Sequence, residues 1–166
     1  MFTTQAKKIL FISSIIGLII GVAFIYVQPL FGMSPLTNRH AAGYMKLGYM
    51  SEGSAIFVAW SIHLFISICY GLATGIALII SKKVVPFILQ VFALGWLTTL
   101  IAPPANALIV KLVGTGAFPA LSSLPALNYS IDAKLILHIV FFGVIAIILW
   151  AYKKVFDKSS QLASQL

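Results

Sequence analysis

The sequence predicts an all-α integral membrane protein, a four-helix bundle with both termini on the cytoplasmic side. Three observations predict it. Four apolar stretches are each long enough to cross a bilayer. Of the 166 residues, 61% are apolar and only 8% are charged. The basic residues stand at the ends of the apolar stretches and not within them. Soluble domains carry about 25% charged residues, so this chain cannot cover a surface facing water. Four spans and their loops use the whole length, which makes residues 1–166 one membrane domain with lipid as its solvent.

A spanning helix needs about 20 apolar residues at roughly 1.5 Å of rise each. The first span is predicted over about 9–27, closed by Gln28-Pro29. Lys7-Lys8 before it resembles the basic start of a signal peptide. The apolar run is long, however, and no small-x-small cleavage site follows, so it reads as an uncleaved anchor. The second span covers about 55–80 and ends at Ser81-Lys82-Lys83, and the third covers about 84–102 and breaks at Pro103-Pro104. The fourth covers about 133–150, with Trp150 and Tyr152 placed for an interfacial belt. Only Ser81 to Lys83 separate the second and third spans, which predicts an antiparallel hairpin.

The net charge of +8 would suggest a polyanionic partner in a soluble protein. Here the positions give a topological signal instead. Lys7, Lys8, Lys82, Lys83, Lys153, Lys154 and Lys158 share one face, against Arg39, Lys46, Lys111 and Lys134 on the other. Seven against four puts both termini in the cytoplasm by the positive-inside rule, and no nucleic-acid partner is expected. Two outer loops remain, 31–53 and 105–131. The apolar run Leu108–Val113 is too short to span, so it either extends the third helix past a proline kink or lies on the interface. The lone Cys69 excludes an internal disulfide. The tail after Lys158 is polar and expected to fray.

Chemistry-bearing residues are few. His63 and His138 lie inside the second and fourth spans, where an imidazole needs a reason. His63 is about nine residues, or roughly 14 Å, inside the outer end of its helix; His138 is about six to eight residues, or roughly 9–12 Å, inside its own. Their common depth makes them either one shared site or two separately satisfied groups. The second span carries His63, Ser67, Gly71 and Gly75 at i+4 spacing, hence on one helix face. The first span offers Gly17-x-x-x-Gly21, and small residues at this spacing let helices approach closely in lipid.

Two histidines from facing helices are the axial pair of a b-type haem. Alternatively they titrate, since histidine changes charge between pH 5 and 8, with Asp132 close above His138. Zinc wants four ligands, and no acidic residue lies inside a span, so no metal site is assigned. Ser67, Thr74, Gln90, Thr98 and Thr99 are thin lining for a channel and read as interhelical hydrogen-bonders. His40, beside Arg39, reads as a solvated loop residue. Asp132 supports the start of the fourth helix through its dipole, with Ser130 as candidate N-cap. Met33, Met45 and Met50 are soft ligands for copper(I) in principle, but scattered sulfurs are more often packing. The sequence carries no Gly-rich phosphate loop, nucleophile elbow, Cys-x-x-Cys or His-Glu-x-x-His, so no enzyme is expected.

With Gly17-Leu-Ile-Ile-Gly21, His63-Leu-Phe-Ile-Ser67 followed by Tyr70-Gly71, the Pro103-Pro104 break, and His138 with Phe141-Phe142 before a basic end, the chain resembles the YagU-like family of small bacterial inner-membrane proteins. The resemblance implies a multi-pass inner-membrane protein associated with acid resistance, with His63 and His138 as the matching titratable positions. Two departures stand out: a shorter first outer loop, and Thr98, Thr99 and Leu100 where the family pattern has a histidine late in the third span. The leading expectation is a non-enzymatic protein of acid or ion homeostasis with a pH-responsive histidine pair. The alternatives are a bis-histidine haem b electron-transfer subunit, and an accessory subunit that packs on a larger complex, or on copies of itself, through its small-residue face.

Overall fold

The computed structural model describes residues 3–163 apart from Tyr49 and Lys82, with side chains as far as Val155. Expectations attached to Tyr49, Lys82 and the Lys158 side chain lie outside the described residues. Among the described residues five α-helices follow in order: α1 Thr4–Val27, α2 Leu36–Lys46, α3 Glu52–Ile80, α4 Val84–Thr115 and α5 Ala133–Ala163. All but α2 are long and apolar enough to cross a membrane. They run alternately between an end rich in lysine and an end that carries α2.

α1 starts where the Thr3 hydroxyl accepts the Ala6 amide at 3.2 Å. It packs most extensively on α3, and the reason is small residues. A Cβ on Gly17 would lie 2.9 Å from the Gly71 Cα, and one on Gly75 would lie 2.9 Å from the Ser13 Cβ. The two backbones are therefore nearly in contact along Ser13, Gly17 and Gly21 of one helix and Ser67, Gly71 and Gly75 of the other. α5 lies against α4, α1 and α3, burying Phe141, Phe142, Ile145 and Leu149 in the main apolar core.

Three sequence expectations are corrected. First, 31–53 is not a loop: α2 occupies its middle. Thr37, His40, Ala41 and Tyr44, at i, i+3, i+4 and i+7, are its buried face, the spacing of an amphipathic helix. Ala41 and Tyr44 pack with Ala55 and Ala59 of α3 and reach Val110 and Val113 of α4. The start of α2 is tied to α1, since the Leu36 amide donates to Gln28 Oε1 at 2.6 Å.

Second, the third span does not break at Pro103-Pro104. α4 runs on to Thr115, so of the two expectations for Leu108–Val113 it is the extension of the third span that holds. A proline at position 104 removes the amide that would bond the Leu100 carbonyl. The Asn128 backbone amide, from the connection to α5, donates to that carbonyl instead at 2.9 Å. Third, the tail after Lys158 stays helical to Ala163. The α3–α4 hairpin is antiparallel as expected and closed near its turn by the Ser81 hydroxyl donating to Gln90 Oε1 at 2.9 Å. Beyond that link the two helices touch little and diverge toward the α2 end.

Candidate functional site

The divergence of α3 from α4, and the near absence of contact between α1 and α4, leave a hollow at the α2 end of about 360 Å³. Its floor is aromatic: Phe24 meets Phe141 edge-on at 4.8 Å between centroids, and Tyr70 packs 5.9 Å from Phe141. Its upper wall is polar, with Arg39 and His40 from α2, Asn106 from α4, and Asn128 from the connection before α5. His63 and His138 line it from α3 and α5. All three histidines of the sequence thus face one space.

Each imidazole is held differently. His63 Nε2 donates to the Gly21 carbonyl of α1 at 2.9 Å, leaving Nδ1 to take a proton. The ring also stands edge-on to Trp60, with centroids 6.4 Å apart. His138 Nδ1 donates to the Lys134 carbonyl at 2.8 Å and shares that proton with the Thr99 hydroxyl oxygen at 3.1 Å. Its Nε2 is then the basic atom. No hydrogen bond joins His63 to His138 among the described residues. They share a hollow rather than a contact.

His40 differs most from the sequence expectation. It is not solvated: only 4% of its surface is exposed, and neither ring nitrogen has a hydrogen-bond partner among the described residues. Burial holds its pKa below the ordinary 6.5, opposed by the nearby Asn106 side chain and reinforced by the Arg39 charge and by His63. Tyr44, 0% exposed, and Thr37 on the same face also have unpartnered hydroxyls, and burial pushes the Tyr44 phenol up. An unpartnered buried polar group costs about 1–3 kcal/mol, so this face of α2 is polar at a price in stability. The signal in the sequence was the i, i+3, i+4, i+7 spacing of Thr37, His40, Ala41 and Tyr44 after Pro35, with three polar members of four.

Ser67 lines the hollow, is buried, and donates back to the His63 carbonyl at 2.8 Å. Asp132 is itself the N-cap of α5, accepting the Lys134 and Leu135 amides at 2.9 and 3.2 Å. Ser130, the expected cap, instead donates its amide to Asn128 Oδ1 at 3.1 Å. Gly17, Gly21, Gly71 and Gly75 form the α1–α3 seam, and Gly21 supplies the carbonyl that holds His63. The methionines are apart: Met33 sits by the main core, Met50 packs under α2, and Met45 is exposed. Among the described residues no group of three or more His, Cys, Asp or Glu is arranged to hold a metal ion.

A second hollow of about 370 Å³, more open, lies between α2 and α4 and shares Leu36, Arg39, His40 and Asn106 with the first. The shared residues make α2 a partition between the inner hollow and the surface. Compared with known proteins, the chain matches no family model, no curated protein and no solved structure.

Proposed function

We propose that this chain is a small, non-enzymatic, multi-pass protein of the bacterial inner membrane, serving acid or ion homeostasis through protonation of the histidines that line its hollow. The observation that carries this reading is the convergence of His40, His63 and His138 on one space. Histidine is the side chain that changes charge between pH 5 and 8. The excess of lysine at the opposite end supports cytoplasmic termini, so the hollow faces outward and meets external acid.

Protonation adds positive charge beside Arg39 and Lys134. Asp132, paired with Lys134 at 3.9 Å, is the acidic group near His138. The other charged or titratable groups around the hollow are Arg39 from α2 and Tyr70 from α3. Accumulating like charge favours the separation of α2 from α3, the helix against which it packs most. The floor of Phe24, Tyr70 and Phe141 closes the hollow toward the lysine end, where the packing is apolar. The reading is therefore of a sensor and not of a channel.

Trp60 is the natural reporter, because its indole lies against His63. In a Trp96→Phe, Trp150→Phe background reconstituted in vesicles, Trp60 fluorescence is expected to fall as pH drops from 8 to 5. His63→Gln is expected to abolish that change, and Gln at all three histidines is expected to lower survival in acid. The reading fails if the titration persists in the triple variant and acid survival is unaltered.

A further inference from the structure

The hollow that gathers the histidines also gathers hydrogen-bond donors without acceptors. His40 lines it almost fully buried, with the Asn106 side chain beside its ring but no hydrogen bond of good geometry to either ring nitrogen among the described residues, and Asn128 Nδ2 is a second buried donor without a partner on its wall. Arg39 stands at its rim. The ion pair found among the described residues joins Lys134 to Asp132, so Arg39 faces the hollow with no carboxylate against it. No Asp or Glu lines the hollow among the described residues.

These features define the complementary ligand. Donors fixed around a space already carry the penalty of being unpaired, so an acceptor placed among them gains more than it would in water. The charge balance selects its valence: Lys134 is partly neutralised by Asp132, which leaves Arg39, among the described residues that line the hollow, as the charge without a counter-charge. A dianion such as phosphate would be under-neutralised against walls that include Ile66, Leu137 and Phe141, and an unpaired charge against apolar surface is unfavourable. A guanidinium fork matches the two oxygens of a carboxylate. The volume falls at the lower end of the range of about 300–1,000 Å³ for small-molecule sites.

We propose that the hollow binds a small monocarboxylate, its carboxylate held by Arg39 with His40 and Asn128 as further donors, and its hydrocarbon part laid on Phe24 and Phe141. The inference rests on the reading of this hollow as the functional site and names what occupies it. The same chemistry arrives from two sources, a short-chain acid from the water through the α2–α4 cleft or a free fatty acid from the bilayer.

The test is calorimetric titration of the full chain in nanodiscs at pH 7.5, in a buffer free of carboxylates. The probes are butyrate, dodecanoate, butyramide and inorganic phosphate. Saturable butyrate or dodecanoate binding is expected, with butyramide and phosphate at least about tenfold weaker, as charge-assisted pairing requires. Tighter dodecanoate binding assigns the bilayer as source, and tighter butyrate binding assigns the water. Arg39 is exposed, so Arg39→Gln leaves the fold intact; it is expected to weaken binding about tenfold or more, and Arg39→Lys to recover only part of that loss. Lys46→Gln, outside the hollow, is expected to change nothing. Absence of saturable binding, equal binding by Arg39→Gln, or phosphate binding as tight as the carboxylates would overturn the proposal. The Trp60 titration is run without carboxylate, so its failure and a failure to bind butyrate are separate results.

Discussion

Glycine-to-alanine substitution should have opposite signs at two positions of this bundle. In a helix interior the exchange ordinarily stabilises by about 0.8–1 kcal/mol. Gly143 on α5 has open space where a Cβ would go, so Gly143→Ala is expected to show that gain. At Gly71 a Cβ would press on the Ser13 carbonyl and lie 3.0 Å from the Gly17 Cα. Both are backbone atoms of α1, so neither can swing aside, and the helices must part. Overpacking of this kind costs about 1–3 kcal/mol. Parting α1 from α3 also stretches the His63–Gly21 hydrogen bond, now 2.9 Å, which is worth about 0.5–1.5 kcal/mol. Set against the propensity gain, Gly71→Ala is expected to destabilise by about 1–3 kcal/mol net, and the two variants should differ by about 2–4 kcal/mol. Equilibrium unfolding in mixed micelles, followed by Trp60 fluorescence, measures both. Equal stability of Gly71→Ala and Gly143→Ala would refute the close α1–α3 seam.

Other outcomes follow from single contacts. Since burial lowers the His40 pKa, the unfolded chain takes up a proton that the folded chain resists. Its contribution to stability is full above the ordinary value of 6.5 and is lost as pH falls below it. The melting temperature should therefore drop between pH 7.5 and 5.5, with a shallower drop in His40→Leu; an unchanged slope would remove His40 from the account. Asp132→Ala should cost about 0.5–2 kcal/mol through the lost cap of α5, and Asp132→Asn much less, whereas Ser130→Ala should be neutral in thermal denaturation. Pro104→Ala restores an amide that competes for the Leu100 carbonyl, so the Asn128 amide should lose protection in hydrogen exchange. The purified protein should show no Soret band, because an axial bond at His63 Nε2 would have to displace the Gly21 carbonyl; sharp reduced α and β bands lost in His63→Ala would make the hollow a haem site.

The four spans were legible because length and apolar content decide them, whatever the neighbours do. The seam glycines were legible for a similar reason: i+4 spacing alone puts Ser67, Gly71 and Gly75 on one face. α2 was not. It has eleven residues, and three of the four side chains on its buried face are polar, so hydropathy sees a loop. His40 was misread with it, and the third wall of the site was lost. The continuation of α4 past Pro103-Pro104 was one of two readings open in the sequence, and the feature that accompanies it, a donor from Asn128, lies 28 positions after the carbonyl that it serves. Which span ends lie together in space is a tertiary fact. The divergence of α3 from α4 that makes the hollow has no local signature.

That borrowed hydrogen bond also has a consequence for the order of assembly. On the reading of α4 as a membrane span, Leu100 lies roughly 24 Å along it, where lipid would offer no substitute donor and an unpaired carbonyl would cost several kcal/mol. While the polypeptide emerges from the ribosome, α4 is made before residue 128 exists, so on that reading the nascent helix would enter the bilayer with the Leu100 carbonyl unpaired. The pairing would come only when the following connection folds back. The third span would thus take one of its hydrogen bonds from a segment synthesised after it, and Asn128 would join the wall of the hollow only then.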